Sequence, residues 1–135
     1  MVKFDKNLNN LIVEHMVYVS GKKIPELDTA TLENVPIQKW TNIIMTINNK
    51  AMDLYLDGKL VKTKYLKGVP KVITDANLVL TPSASGNPDY SNGFKGFTAK
   101  FMYYNRSVNP REAYAIYKEG FGSNWLSDLF NKYRI

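Results

Sequence analysis

From Leu11 to Ser20 apolar and polar positions alternate, with Leu11, Val13, His15, Val17 and Val19 on one side and Ile12, Glu14, Met16 and Tyr18 on the other. A period of two is that of a strand with one face buried. Gly21 to Val35, broken by Pro25 and followed by Pro36, reads as irregular apart from one short strand. Trp40 to Ile47 is rich in β-branched residues, and Asn48-Asn49 suits the positive φ angles of a tight turn. Met52, Leu54 and Leu56 then alternate with Asp53, Tyr55 and Asp57. Asp57-Gly58 is a strong hairpin signal, because a type I′ turn needs positive φ at both central positions. With Leu60 to Leu66 as the returning strand, three consecutive strands are predicted to form a meander.

Further along, Asn77 to Thr81 is predicted as a short strand, and Pro82 to Gly93 as a loop of Ser, Asn, Asp, Gly and Pro. Phe94 to Asn105 alternates again, with Phe97, Ala99, Phe101 and Tyr103 on one face, and is predicted as a long strand. Asn109, Pro110 and Glu112 supply a cap, a proline at the first helical position and a glutamate at the third, which together start a helix. Gly120 ends it. Trp125, Leu126, Leu129, Phe130 and Tyr133 recur at helical spacing, as expected of a short packing helix leading into a further strand.

The chain has 135 residues, 44% of them hydrophobic, enough for one core and one domain spanning 1–135. It has no cysteine, which removes disulfides and thiolate chemistry. Met1 to Asn10 is too polar for a signal peptide, and no apolar run approaches the roughly 20 residues that span a bilayer, so no membrane insertion is expected. The net charge of +6 comes from 18 basic and 12 acidic residues. Its densest part is Lys59, Lys62, Lys64, Lys67 and Lys71, with no acid between Asp57 and Asp75. That run reads first as a solvated face guarding an edge strand and second as a basic contact patch.

Three stretches, in order, carry a family resemblance: VPIQKWTNI from Val35, MDLYLDGKLV from Met52, and GFKGFTAKFMYYNRSVNPRE from Gly93. They resemble the "W-x-x-I" strand, the "D-x-Y-x-D-G-x-x-V" hairpin and the "Y-N-R" close of the laminin-G-like, concanavalin A-like lectin/glucanase superfamily. The resemblance covers Leu11 to Tyr133 and implies an all-β fold: a concanavalin A-like jelly-roll β-sandwich with one or two short C-terminal helices. It also implies that Tyr104 and Asn105 have structural roles, closing a strand and leading into the helix. The ending GFGSNWLSDLFNKYRI is similar to the tails of such domains in structural proteins of large DNA viruses. Only six or seven strands can be counted, fewer than a complete domain of the family carries. The domain is therefore expected to lack its N-terminal part and to be incomplete, leaving open edges that favour assembly.

Glucanases of the superfamily work with carboxylates spaced along one strand, which must lie about 5 Å apart to share a glycosidic bond. Glu26, Asp28 and Glu33 come nearest. Glu33 falls on the opposite face from the other two, and Pro25 with the polar run after it argues for a loop. No catalytic residue is expected. His15 has no triad partners and reads as a buried, hydrogen-bonded histidine. Asp53, Asp57, Asp75, Asp89 and Asn92 lack the spacing of a calcium loop, so neither metal nor other cofactor is expected.

Asn87, Asp89, Tyr90 and Asn92 combine an aromatic ring with short polar groups and form the candidate ligand-binding loop for a glycan, although a turn-rich loop with an inward tyrosine has the same composition. Asn105-Arg106-Ser107 has the form of a glycosylation acceptor. No nucleic-acid-reading motif accompanies the charge, so no nucleic acid is expected. The expected function is a non-catalytic structural or assembly module, such as a capsid-associated minor virion protein docking to other protein subunits. The alternative is a lectin-like module at a virion or cell surface, and either location places the chain on a virion or extracellular surface.

Overall fold

The computed structural model describes residues 1–5, 9–72, 74 and 96–121. Among these residues, seven strands and a helix follow in chain order: β1 (Val2–Phe4), β2 (Leu11–Tyr18), β3 (Glu26–Leu32), β4 (Ile43–Asn48), β5 (Ala51–Leu56), β6 (Lys59–Tyr65), β7 (Val69–Pro70) and α1 (Pro110–Glu119). They form two antiparallel sheets. In the first, β2 is central: β3 pairs along one edge from Leu11↔Leu32 to Val17↔Glu26, while β1 and β7 share the other. In the second, β4, β5 and β6 form the predicted meander.

The sheets stack through the side chains that alternation assigns to their inner faces. Leu11, Val13 and Val17 of β2 and Ala30 and Leu32 of β3 meet Met52 and Leu54 of β5, with Val35 and Leu66 closing the core. Fully burying an aliphatic side chain contributes roughly 1.5–3 kcal/mol, so this cluster dominates the stability of the sandwich. Asp57 and Gly58 have φ of 49° and 74°, as a type I′ turn requires. A bulge lies just before it, where Leu54 pairs with Lys62 but Tyr55 pairs with Leu60. The chain then runs through Gly68 into β7. A Cβ on Gly68 would stand 2.2 Å from the Tyr18 carbonyl oxygen, so only glycine lets this segment approach β2.

The outer face of the second sheet is covered by the helix. Tyr55, fully buried, packs with Val108 and Ala113, flanked by Ile44 and Ile116. The Val108 N–H donates to Thr46 Oγ1 at 2.9 Å and fixes the approach of the segment to β4. Asn109 caps α1 as read from the sequence: its side chain accepts from the Glu112 N–H at 2.9 Å, and Glu112 accepts from the Asn109 N–H at 3.1 Å. Gly120, at φ 74°, ends the helix.

Two expectations are corrected. The acids Glu26 and Asp28 lie on a seven-residue strand, the short strand expected within Gly21–Val35, and not in a loop, because Pro25 lies just outside it, where no ladder N–H is needed, and Asp28, Ala30 and Leu32 supply an inward row. Residues 96–105 are irregular rather than a long strand. Lys100 takes a φ of 51°, which breaks an extended run, and Phe97 is 86% exposed. The strand expected at Asn77–Thr81 and the helix expected around Trp125–Tyr133 lie outside the described residues.

Candidate functional site

The Asp57-Gly58 turn is both a hairpin and a seat for the helix. A Cβ on Gly58 would sit 3.0 Å from Tyr114 Cα and 3.0 Å from Tyr117 Cβ, so α1 rests directly on the turn. Asp57 locks the turn to the preceding segment: its carboxylate accepts from Lys39 Nζ at 2.8 Å and from the Asn42 N–H at 2.9 Å. Burial alone would raise the Asp57 carboxyl, but the Lys39 ammonium and the Asn42 N–H outweigh it and hold the group below its ordinary value. Trp40, next to Lys39, stacks on Phe121 with ring centroids 4.2 Å apart and planes 12° from parallel. Trp40 stands at the end of the turn-locked segment and Phe121 just past the helix, so the stack ties the two together.

These contacts gather two pairs of rings around the turn and the helix that rests on it. Trp40 is 46% exposed, Phe121 49%, Tyr114 49% and Tyr117 37%, although rings of this size usually bury most of their surface. Tyr114 and Tyr117 lie tilted, 6.2 Å apart, and Lys118 Nζ stands 6.0 Å from the centre of the Tyr114 ring. Arg111, Tyr114 and Lys118 share one helix face by their spacing. Lys59 follows directly on Gly58, and all three cations are exposed. The acids at the rim are taken: Asp57 by Lys39, Glu112 by Arg106 at 2.9 Å and Glu119 by Lys100 at 3.6 Å.

The five lysines singled out in the sequence do not form a single patch. Lys62 and Lys64 point from β6 to the neighbouring sheet, where Lys62 donates to the Thr31 carbonyl at 2.7 Å and Lys64 pairs with Asp28 at 3.1 Å. Lys67 is exposed and its backbone N–H donates to Asp28 at 2.8 Å, while the Lys71 N–H donates to Met16 beside β7. Only Lys59 adjoins the aromatic face. Trp40, Phe121, Tyr114, Tyr117, Arg111 and Lys118 escaped sequence reasoning. Their one signal was the spacing of Arg111, Tyr114 and Lys118, which puts aromatic and cationic groups on the same side of a helix.

Of the acids weighed for catalysis, Asp28 is 1% exposed and accepts from Lys64 and from the Lys67 and Thr29 N–H groups. Burial pushes its carboxyl up, yet these donors more than offset that and keep it below the usual range, as an ionised structural group. His15 faces Asp28 across the β2–β3 ladder. It is half-buried, and contrary to expectation its Nε2 is buried with no hydrogen-bond partner among the described residues. Burial, followed by the Met1 ammonium, lowers its basicity. Asp53 accepts from Thr63 Oγ1. Among the described residues no three His, Asp or Glu side chains converge as metal ligands, and no helix is long and apolar enough to cross a membrane. Asn105 and Ser107 are exposed, and Asn105 sits in a bend. The loop residues Asn87, Asp89, Tyr90 and Asn92, with Asp75, lie outside the described residues.

A two-sheet antiparallel sandwich with a helix on one outer face defines a class, and the sequence comparison gives its family. The Laminin_G_3 profile, described as the concanavalin A-like lectin/glucanases superfamily, matches residues 7–113, and the chain belongs to that family. The crystal structure of an S-layer domain-containing protein (residues 221–444) from Clostridium thermocellum is similar at 15% sequence identity and a TM-score of 0.46. The match covers 87% of this chain and 61% of that one. A search of curated proteins gives no match. Family membership places the chain in a class of binding and structural modules.

Proposed function

We propose that the chain is a non-catalytic docking module of a surface assembly, a virion or an extracellular envelope, in which its sandwich joins other protein subunits. The observation that carries this reading is the aromatic face on the Asp57-Gly58 turn. Four half-exposed rings, held by an ion pair, a capped helix and a ring stack, form a preorganised apolar surface of the kind that marks contact sites. Preorganisation matters because rigid side chains lose little entropy on association. The minor-virion-protein form of the reading rests on the sequence resemblance of the C-terminal tail. Open sheet edges fit it as well: among the described residues β1 and β7 are paired along one edge only, which leaves the other edge for a partner subunit's strand.

A glycan array with the purified chain, run beside Tyr90→Ala, tests the reading against the lectin-like alternative. No specific glycan is expected to bind. A sugar bound by the parent and lost in the variant would overturn it.

A further inference from the structure

We infer that the face formed by Trp40, Phe121, Tyr114 and Tyr117 docks an acidic polypeptide that carries aromatic side chains. This rests on the docking reading above and adds the chemistry of the partner.

The charge around the rings is one-sided. Among the described residues, Lys59, Arg111 and Lys118 are exposed and have no acidic partner, whereas the acids around the turn and the helix are paired, Asp57 with Lys39, Glu112 with Arg106 and Glu119 with Lys100. Among the described residues the surface therefore offers three free cations against acids that are already paired, and its complement is anionic. A second copy would bring the same three cations against these and be repelled. Aromatic side chains in the partner are called for by the rings themselves, which pair edge-to-face or offset with other rings, and by Lys118, already placed over Tyr114.

A polysaccharide fits less well. Stacking on a pyranose needs a free ring face beside hydroxyl-reading groups. Here Trp40 and Phe121 each give one ring face to the other, Lys118 lies over Tyr114, and the carboxylates that could read hydroxyls are held in ion pairs. Side chains of a polypeptide can reach the ring edges and the three separate cations at once.

The test uses the full chain and a fluorescently labelled random copolymer of glutamate and tyrosine, with polyglutamate and heparin as competing probes, followed by fluorescence anisotropy at 0.05 and 0.5 M salt. The copolymer is expected to bind at least tenfold more tightly than polyglutamate, and salt to weaken both. Tyr114→Ala/Tyr117→Ala should remove most of that preference. Lys59→Glu/Arg111→Glu should weaken copolymer binding at least tenfold. The second variant guards against misfolding, because its residues are exposed and an acid in the first turn of α1 suits the helix dipole. Equal affinity for the two polymers, binding unchanged in either variant, or heparin binding more tightly than the copolymer at the same residues would overturn the inference. So would self-association of the parent that Tyr114→Ala/Tyr117→Ala abolishes. Any of these would leave the docking reading to be decided by the glycan array.

Discussion

Replacing Lys64 by methionine keeps the length of the side chain and removes the charge that faces Asp28 at 3.1 Å. Asp28 is 1% exposed, so its carboxylate would keep only the N–H groups of Lys67 and Thr29. Removing one partner of a buried pair costs about 3–5 kcal/mol. The Lys64 side chain is 27% exposed, which puts this pair at the lower end, about 3 kcal/mol. Asp28→Asn should cost less, about 1–2 kcal/mol, because the freed ammonium can turn to water and the amide still accepts one N–H. The order of the two variants follows from which partner is buried.

The pH dependence has a definite sign. The folded-state pKa of Asp28 is depressed, so its contribution is present above the unfolded value, about 3.9, and lost as pH falls through the folded one. In Lys64→Met the burial that pushes the carboxyl up is opposed by the Lys67 and Thr29 N–H groups but no longer by the ammonium. Protonation then relieves the variant at a higher pH than the parent, and its penalty shrinks on acidification. Urea unfolding followed by far-UV circular dichroism at pH 7 and pH 4 measures both effects. A penalty below about 1 kcal/mol at pH 7, or one that grows in acid, would refute the reasoning.

Two further outcomes follow from the same packing. Gly68→Ala would drive a Cβ to 2.2 Å from the Tyr18 carbonyl and 2.5 Å from its carbon, both backbone atoms that cannot swing away; a loss of about 2–3 kcal/mol is expected in the same unfolding assay, with β7 detaching first by hydrogen exchange. His15, whose folded-state basicity is lowered chiefly by burial, should make the parent less stable as pH falls below about 6.5, since the unfolded chain takes up the proton more readily. His15→Gln should flatten the stability profile between pH 7.5 and 5.5, and an unchanged slope would show that the ring is solvated.

The meander and the helix were legible because their signals are local. Asp57-Gly58 forces a hairpin through its own backbone preferences, and Asn109 with Glu112 caps α1 without help from the rest of the chain. The place of β3 within Gly21–Val35 was hidden because an acid inside the core contradicts composition rules. Asp28 is tolerated there only through Lys64 and two N–H groups, and no local pattern announces a lysine from another strand. Phe94 to Asn105 misled in the opposite direction. Alternation says which side chains could share a face, and a ladder also needs a neighbour, which residues 96–105 do not have among the described residues. The candidate site was invisible for a related reason. Tyr114 and Tyr117 are spaced like core residues, yet they meet only the small Gly58 turn and stay partly exposed.

That seating has a consequence for when the surface exists. Trp40, the Asp57-Gly58 turn and α1 with Phe121 come from separate parts of the chain and meet only after the second sheet has formed and the helix has landed on it. An unfolded or half-folded chain has the same rings but no face. A partner that recognises the face would therefore select finished molecules, and at a hundredfold excess over its dissociation constant would add about 2.7 kcal/mol to their stability. Assembly would then act as an inspection step, admitting only subunits that have completed their fold.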